Sequence, residues 1–165
     1  MKQVGSRPNL TAMKKKSEVH ISWAQLEKLA AQLSRMITES GFKPDYVVGI
    51  AMGGLIPLAL VAENLKVKNV ATMSACSYDG KNRKRGKLVI SHVPRFQARG
   101  KKILLIDEIA DTGDTFRDVS KVLKEKCGAT HIKTAAIVVN TIRCRILPDF
   151  SVMNVDRWVV FPWDV

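Results

Sequence analysis

The chain has 165 residues, of which 46% are hydrophobic and 25% are charged, and its formal net charge is +12. This composition supports one globular domain with a buried core and excludes disordered, collagen-like and low-complexity proteins. No apolar run reaches the roughly 20 residues of a membrane span, and no apolar segment follows the basic N-terminus as in a secretory signal. The three cysteines lack metal-binding or redox spacing, which indicates a cytoplasmic protein with reduced thiols.

The charges are unevenly distributed, and this bears on the kind of partner. Residues 81–102 include nine Lys and Arg side chains and no acid, whereas residues 107–118 include five acids and one Arg. A basic segment beside an acidic cluster suits a small polyanion carrying a divalent cation, while acids in a nucleic-acid groove would repel the phosphates. The basic residues 1–17 are predicted to form a flexible extension outside the domain, which spans 18–165.

Periodicity and turn residues predict alternating helices and strands. Ser22 and Gln25 form a capping box before a helix that Gly41 ends. Next come a strand over 46–50, a helix over 55–65, strands over 70–77, 87–93 and 103–106, a helix that begins at 111–115, and a strand over 132–139. This order predicts an α/β fold with a mostly parallel twisted sheet, helices on both faces and ligands at the carboxyl ends of the strands.

The strongest motif lies at residues 103–115, with the sequence ILLIDEIADTGDT. A buried strand is predicted to end in two acids, and a turn of small and polar residues then opens a helix. Backbone N–H groups in such a turn, together with the helix N-terminus, bind phosphate. The alternative is an ordinary capped helix with Asp111 or Asp114 as N-cap. That alternative leaves the adjacent like charges of Asp107 and Glu108 unexplained.

This segment resembles the phosphoribosyl-diphosphate (PRPP) motif of type I phosphoribosyltransferases. The resemblance extends from about Val19 to the end of the chain, and it is most specific to the xanthine-guanine and hypoxanthine-guanine subgroup. ISW at 21–23, SYD at 77–79 and WVVFPWD at 158–164 carry that likeness. The resemblance implies the fold of that family, with a small hood over the sheet formed by about 18–22 and 140–165.

The resemblance also implies a set of PRPP-binding residues. Asp107 and Glu108 would hold the ribose hydroxyls and Mg²⁺, and Asp111 would be the catalytic base that accepts the proton of purine N7. The 5′-phosphate would bind to Thr112, Gly113, Asp114 and Thr115, the pyrophosphate to Met52, Gly53 and Gly54, and residues 78–87 would form a mobile catalytic loop. The partners implied are PRPP and a purine base, in a homodimer or homotetramer without membrane or nucleic-acid contacts.

For the base, the resemblance implies that Trp158 stacks on the purine while the backbone carbonyls of Val159 and Asp164 face its 2-position. Trp163 has two equal interpretations, as a stacking residue or as hood core. Asn140 aligns with the lysine that contacts the purine 6-oxygen in the subgroup. Its amide could donate to a 6-oxygen or, turned over, accept from a 6-amino group.

The sequence departs from the subgroup at Met52, where an Arg or Lys is usual, and at Asp114, where a small residue is usual. The carboxylate of Asp114 is therefore expected to point away from the phosphate. The resulting hypothesis is a Mg²⁺-dependent purine phosphoribosyltransferase of purine salvage, making a nucleoside monophosphate and pyrophosphate from a 6-oxopurine and PRPP. The alternative is a regulator with this fold that senses PRPP or nucleotide and binds nucleic acid through its positive charge.

Overall fold

The computed structural model describes residues 18–77 and 88–164. The predicted extension 1–17 and the predicted loop 78–87 lie outside the described residues. The elements are, in chain order, β1 (Val19–His20), α1 (Trp23–Glu39), β2 (Tyr46–Ala51), α2 (Leu55–Leu65), β3 (Val70–Ser77), β4 (Leu88–His92), β5 (Lys102–Ala110), α3 (Asp114–Cys127), β6 (His131–Asn140), β7 (Phe150–Val155) and β8 (Val159–Val160). The capping box of Ser22 and Gln25 is present at the start of α1.

Six strands form the main sheet in the order β4-β3-β2-β5-β6-β7. All neighbouring pairs are parallel except β3 and β4. Helix α2 connects the parallel strands β2 and β3, and α3 connects β5 and β6, as crossover connections, whereas residues 141–149 join the parallel strands β6 and β7 without a helix. The predicted α/β fold with a mostly parallel sheet is confirmed.

The core lies on both faces of the sheet, and β5 contributes to each. Leu104 and Ile106 pack in one apolar cluster with residues of α1 and α2. Ile103 and Leu105 pack in a second cluster with residues of α3. Successive side chains of a strand point to opposite faces, so the apolar run of β5 is what a strand covered by helices on both sides requires. All four of these side chains are fully buried.

A second, two-stranded sheet pairs β1 with β8 in parallel, so segments far apart in sequence meet there. This sheet is the hood. The hood takes less of 140–165 than the sequence predicted, because β7 pairs with β6 at the edge of the main sheet. No helix within the described residues is long and apolar enough to cross a membrane.

Candidate functional site

Strand β5 is longer than predicted, and its extension places the acidic pair. Asp107 and Glu108 lie inside the strand rather than at its end, since β5 continues to Ala110. Pairing with β6 continues through Ala110, whereas pairing with β2 stops at Ile106. Beyond Ile106 one edge of β5 is therefore free of a neighbouring strand, and the turn at 52–54 occupies the place beside it.

The turn after β2 packs against this acidic pair. A Cβ atom added to Gly53 would overlap the carboxylate of Glu108, and one added to Gly54 would lie 2.8 Å from the carbonyl oxygen of Ile106. Gly54 thus requires glycine for close packing against the backbone, independently of any ligand, whereas at Gly53 the overlapping atoms are the end of the Glu108 side chain. Met52, which precedes them, has 82% of its surface exposed. The structure brings the predicted pyrophosphate turn against the predicted ribose and metal residues.

The carboxyl groups of Asp107 and Glu108 interact closely. Burial raises the pKa of Asp107 well above its usual value, and the neighbouring Glu108 carboxyl raises it further through a hydrogen bond and charge repulsion. The Oε2 atom of Glu108 is buried and has no hydrogen-bond partner. An orphaned buried carboxylate oxygen is costly unless a donor or cation meets it.

These two carboxylates fit Mg²⁺ held jointly with a substrate. Mg²⁺ prefers oxygen ligands, and it is commonly bound by one or two carboxylates together with substrate phosphates. Among the described residues there is no cluster of three or more His, Cys, Asp or Glu side chains that would hold a metal ion without further ligands. The unsatisfied oxygen of Glu108 is the observation that agrees with a ligand-supplied cation or hydroxyl donor at this place.

The turn between β5 and α3 is held open by a glycine at the helix cap. Gly113 is the N-cap of α3 with φ 84°, a left-handed conformation that favours glycine. A Cβ atom at this position would overlap the backbone of Ile146. The alternative that Asp111 or Asp114 caps the helix is wrong, because Gly113 is the cap and Asp114 is the first helical residue.

The carboxylate of Asp114 is engaged on both of its oxygens. Its Oδ1 pairs with the Arg117 guanidinium at 2.7 Å, and its Oδ2 accepts a hydrogen bond from the Thr112 hydroxyl at 3.0 Å. Thr115 lies in the first turn of α3. The first N–H groups of a helix have no intrahelical acceptor, so this turn presents backbone donors to a cleft of about 440 Å³. That cleft is lined by Thr112, Asp114, Ile142, Arg143 and Arg145.

A second cleft, of about 590 Å³, gathers the base-side residues that the sequence predicted. Asp111, Asn140, Trp158, Val159 and Asp164 all line it, together with Glu108, Ile109, Ile142, Arg143, Asp156, Arg157 and Phe161. Ile142 and Arg143 line both clefts. The two clefts therefore share a wall.

Asp111 is held by hydrogen bonds on both of its carboxylate oxygens. Asn140 Nδ2 donates to Oδ1 at 3.2 Å, and the Arg143 guanidinium lies 3.1 Å from Oδ2. The Oδ1 atom of Asn140 accepts from the backbone N–H groups of Ile142 and Arg143 at 3.1 and 3.2 Å. Turning the amide over would lose these bonds, so in this structure the amide is oriented with its oxygen toward the turn and its nitrogen toward Asp111. Asn140 and Arg143 both present donors to the cleft.

The hood gives each of its aromatic residues a distinct environment. Trp158 has 69% of its surface exposed, so its ring is open on the cleft side. Trp163 stacks on Phe161 at 5.0 Å between ring centroids and also contacts Trp23. It is absent from the cleft lining. The hood-core interpretation of Trp163 is therefore correct.

The strand pairing of the hood also orients the carbonyl of Val159. The N–H groups of Val19 and Ile21 donate to the carbonyls of Trp158 and Val160. Because alternate carbonyls of a strand point to opposite edges, the carbonyl of Val159 points away from β1. Asp164 closes a turn, its Oδ2 accepting from the N–H of Phe161 at 2.9 Å. The side chain of Asp164 is therefore hydrogen-bonded within the turn, and its backbone carbonyl remains the group predicted to face the purine 2-position.

Comparison with known proteins identifies the family. The model of the phosphoribosyl transferase domain matches residues 19–165. The chain belongs to the phosphoribosyltransferase family. It is 35% identical over 147 residues to the xanthine-guanine phosphoribosyltransferase of Nitratidesulfovibrio vulgaris, covering 87% of this chain and 83% of that one. The corresponding enzyme of Desulfotalea psychrophila is 34% identical over 147 residues, with 87% and 84% covered.

Solved structures agree with this assignment of the fold. A purine phosphoribosyltransferase from Pyrococcus horikoshii superposes with a TM-score of 0.80 at 28% identity, covering 90% of this chain and 95% of that one. The xanthine-guanine-hypoxanthine phosphoribosyltransferase of Helicobacter pylori gives 0.79 at 25% identity with the same coverage. This phosphoribosyltransferase is thus similar to purine enzymes in both sequence and fold.

Sequence reasoning missed two arginines of this phosphoribosyltransferase. Arg143 and Arg145 lie in the segment after β6, and both line the cleft beside α3. Their alternation in the sequence Arg-Cys-Arg was visible. The fold of the segment was not, because it depends on hydrogen bonds from the backbone of Arg145 and Ile146 to the carbonyl of Thr112.

Proposed function

We propose that this phosphoribosyltransferase transfers phosphoribose from PRPP to a 6-oxopurine. The observation that carries the proposal is the shared wall between two clefts. One cleft lies at the N-terminus of α3, where backbone donors suit a phosphate. The other has an exposed tryptophan and Asp111, which suit a flat nitrogen heterocycle. A ribose bridging them would pass beside Asp107 and Glu108.

Asp111 is proposed as the general base of the reaction. A purine nitrogen forms a bond to C1 of the ribose, and the C1–O bond to pyrophosphate breaks with its electron pair leaving on the pyrophosphate oxygen. Asp111 accepts the proton of purine N7, which makes the base more nucleophilic. Such proton transfer typically contributes about 10²–10⁴ in rate. Asn140 and Arg143 hold the carboxylate on both oxygens, so its orientation is set before the base enters.

Asp107 and Glu108 are proposed to hold the ribose hydroxyls and Mg²⁺. When bound, Mg²⁺ neutralises the charge of the pyrophosphate and acts as a template for its departure. The turn at Met52, Gly53 and Gly54 binds the pyrophosphate through backbone amides, since Met52 offers no charge. The segment Thr112, Gly113, Asp114 and Thr115 receives the 5′-phosphate.

The preferred base is proposed to be guanine, followed by hypoxanthine and then adenine. The donors of Asn140 and Arg143 favour an oxygen at the 6-position, while the carbonyls of Val159 and Asp164 favour a 2-amino group. Hypoxanthine keeps the 6-oxygen but leaves the 2-position acceptors unpaired. Adenine leaves both sets unpaired, at roughly 1–3 kcal/mol for each unsatisfied group.

The experiment is an initial-rate assay of pyrophosphate release with PRPP, Mg²⁺ and each of guanine, hypoxanthine, xanthine and adenine. A higher rate with a 6-oxopurine than with adenine supports the proposal. Release of pyrophosphate with none of the four bases, combined with sub-micromolar and steeply salt-dependent binding of a nucleic-acid duplex, would favour the regulator instead.

A further inference from the structure

The segment after β6 completes the phosphate cleft from the side that faces α3. The backbone N–H groups of Arg145 and Ile146 donate to the carbonyl of Thr112 at 3.0 and 3.3 Å. The backbone of Ile146 fills the space beside Gly113 that a side chain would need. The Cα atom of Arg145 is therefore fixed directly against the turn that opens α3.

Three charged side chains line this cleft, and two of them, Asp114 and Arg143, have a charged partner. Asp114 is paired with Arg117 at 2.7 Å, and Arg143 lies 3.1 Å from a carboxylate oxygen of Asp111. Within 18–77 and 88–164 no hydrogen bond or ion pair involves the guanidinium of Arg145, and this residue is exposed. Arg145 is thus the cation of this cleft that no carboxylate of the described chain neutralises.

We infer that Arg145 is a phosphate-binding residue that contacts the 5′-phosphate of the ribose. This inference rests on the proposed function. The planar guanidinium fork matches two phosphate oxygens at once, and charge-assisted bonds of this kind are among the strongest hydrogen bonds in proteins. The phosphate would lie between two sets of donors, the backbone amides at the N-terminus of α3 on one side and Arg145 on the other. Arg145 would supply positive charge on its side of the phosphate. The turn contains the negatively charged Asp114 and supplies no positive charge.

The test measures the share of nucleotide affinity that depends on the phosphate. Calorimetry gives the Kd of guanosine 5′-monophosphate and of guanosine for the wild type, Arg145→Gln, Arg145→Lys and Arg35→Gln. Arg35 is an exposed residue near the C-terminal end of α1. Because α1 leads into the start of β2, this control changes the same charge at the opposite end of the sheet.

We expect Arg145→Gln to raise the Kd of guanosine 5′-monophosphate about tenfold, which corresponds to about 1.4 kcal/mol. The Kd of guanosine should not change. Arg145→Lys should fall between, since it keeps the charge without the fork. Arg35→Gln should match the wild type. Equal monophosphate affinity in Arg145→Gln and Arg35→Gln would overturn the inference while leaving the proposed function intact. A wild type that binds the two ligands equally would overturn both. Melting temperatures of all variants show whether each is folded, and Arg145→Lys keeps the test decisive if Arg145→Gln is not.

Discussion

Asn140 links the end of β6 to the carboxylate of Asp111, and a single-atom change tests this link. Asn140→Asp preserves the shape of the side chain and the oxygen that accepts from the N–H groups of Ile142 and Arg143. It replaces the Nδ2 donor, which lies 3.2 Å from Asp111 Oδ1, with a carboxylate oxygen. A hydrogen bond becomes a contact between two negative charges.

The magnitude follows from that distance. At an effective dielectric constant of about 20, two unit charges about 3.2 Å apart repel by about 5 kcal/mol. Arg143 on the other oxygen of Asp111 and partial exposure to water offset part of this repulsion. We expect a net loss of about 2–3 kcal/mol in the free energy of unfolding at pH 7, or a fall in Tm of about 4–12 °C.

The loss of stability in Asn140→Asp should depend on pH, because it comes from the charge of the introduced carboxyl. Repulsion raises the pKa of the introduced carboxyl in the folded state above its unfolded value. Stability is then lost as pH rises through the folded pKa and returns on acidification. The assay is thermal unfolding of Asn140→Asp and of the exposed control Asn154→Asp between pH 4 and 8. A variant as stable as the control at pH 7, or a deficit unchanged at pH 4, would refute the geometry of this link.

Three further predictions concern Asp111, Gly53 and Asp149. Asp111→Asn should bind PRPP as well as the wild type but lower kcat by at least 10²-fold, the typical loss of a general base; a loss below about threefold in steady-state assays would remove that role. Gly53→Ala should destabilise the fold by about 1 kcal/mol or less, because its Cβ overlaps only the flexible end of the Glu108 side chain. In denaturant titrations Glu108→Ala should suppress that loss, and additive effects would contradict it. Burial alone would raise the pKa of Asp149, but hydrogen bonds from Lys133 and Thr134 outweigh it and lower the pKa. Its stabilisation is thus present above the unfolded pKa and lost as pH falls through the folded value, so the deficit of Asp149→Asn should shrink from pH 6 to 3; a constant deficit would argue against the ion pair.

Much of the fold was predictable because its signals are local. The capping box at Ser22 and the apolar run that precedes Asp107 each depend on a few neighbouring residues. The gathering of the base-side residues in one cleft followed from the family resemblance. Strand β7 was missed as part of the main sheet, since its place depends on pairing with β6 rather than on its own periodicity.

The details of the site were less predictable because they depend on contacts between distant segments. Nothing near Gly113 in sequence indicates that Ile146 excludes a side chain there. The amide of Asn140 has a fixed orientation only because the turn that follows it folds back onto its oxygen. The pairing of Arg143 with Asp111 likewise needs the turn after β6 in place.

The pairing of β1 with β8 has a consequence for how the protein is synthesised. Val19 leaves the ribosome long before Val159, its partner in the hood. The strands of the main sheet end at Val155, but Val159 and Phe161 are buried in the same apolar cluster as Leu104 and Ile106. The hood and that cluster are therefore completed only once the C-terminal segment has been made, in a long-range step that carries a large loop-closure entropy. A chain truncated before β8 would lack both the wall that carries Trp158 and part of that cluster.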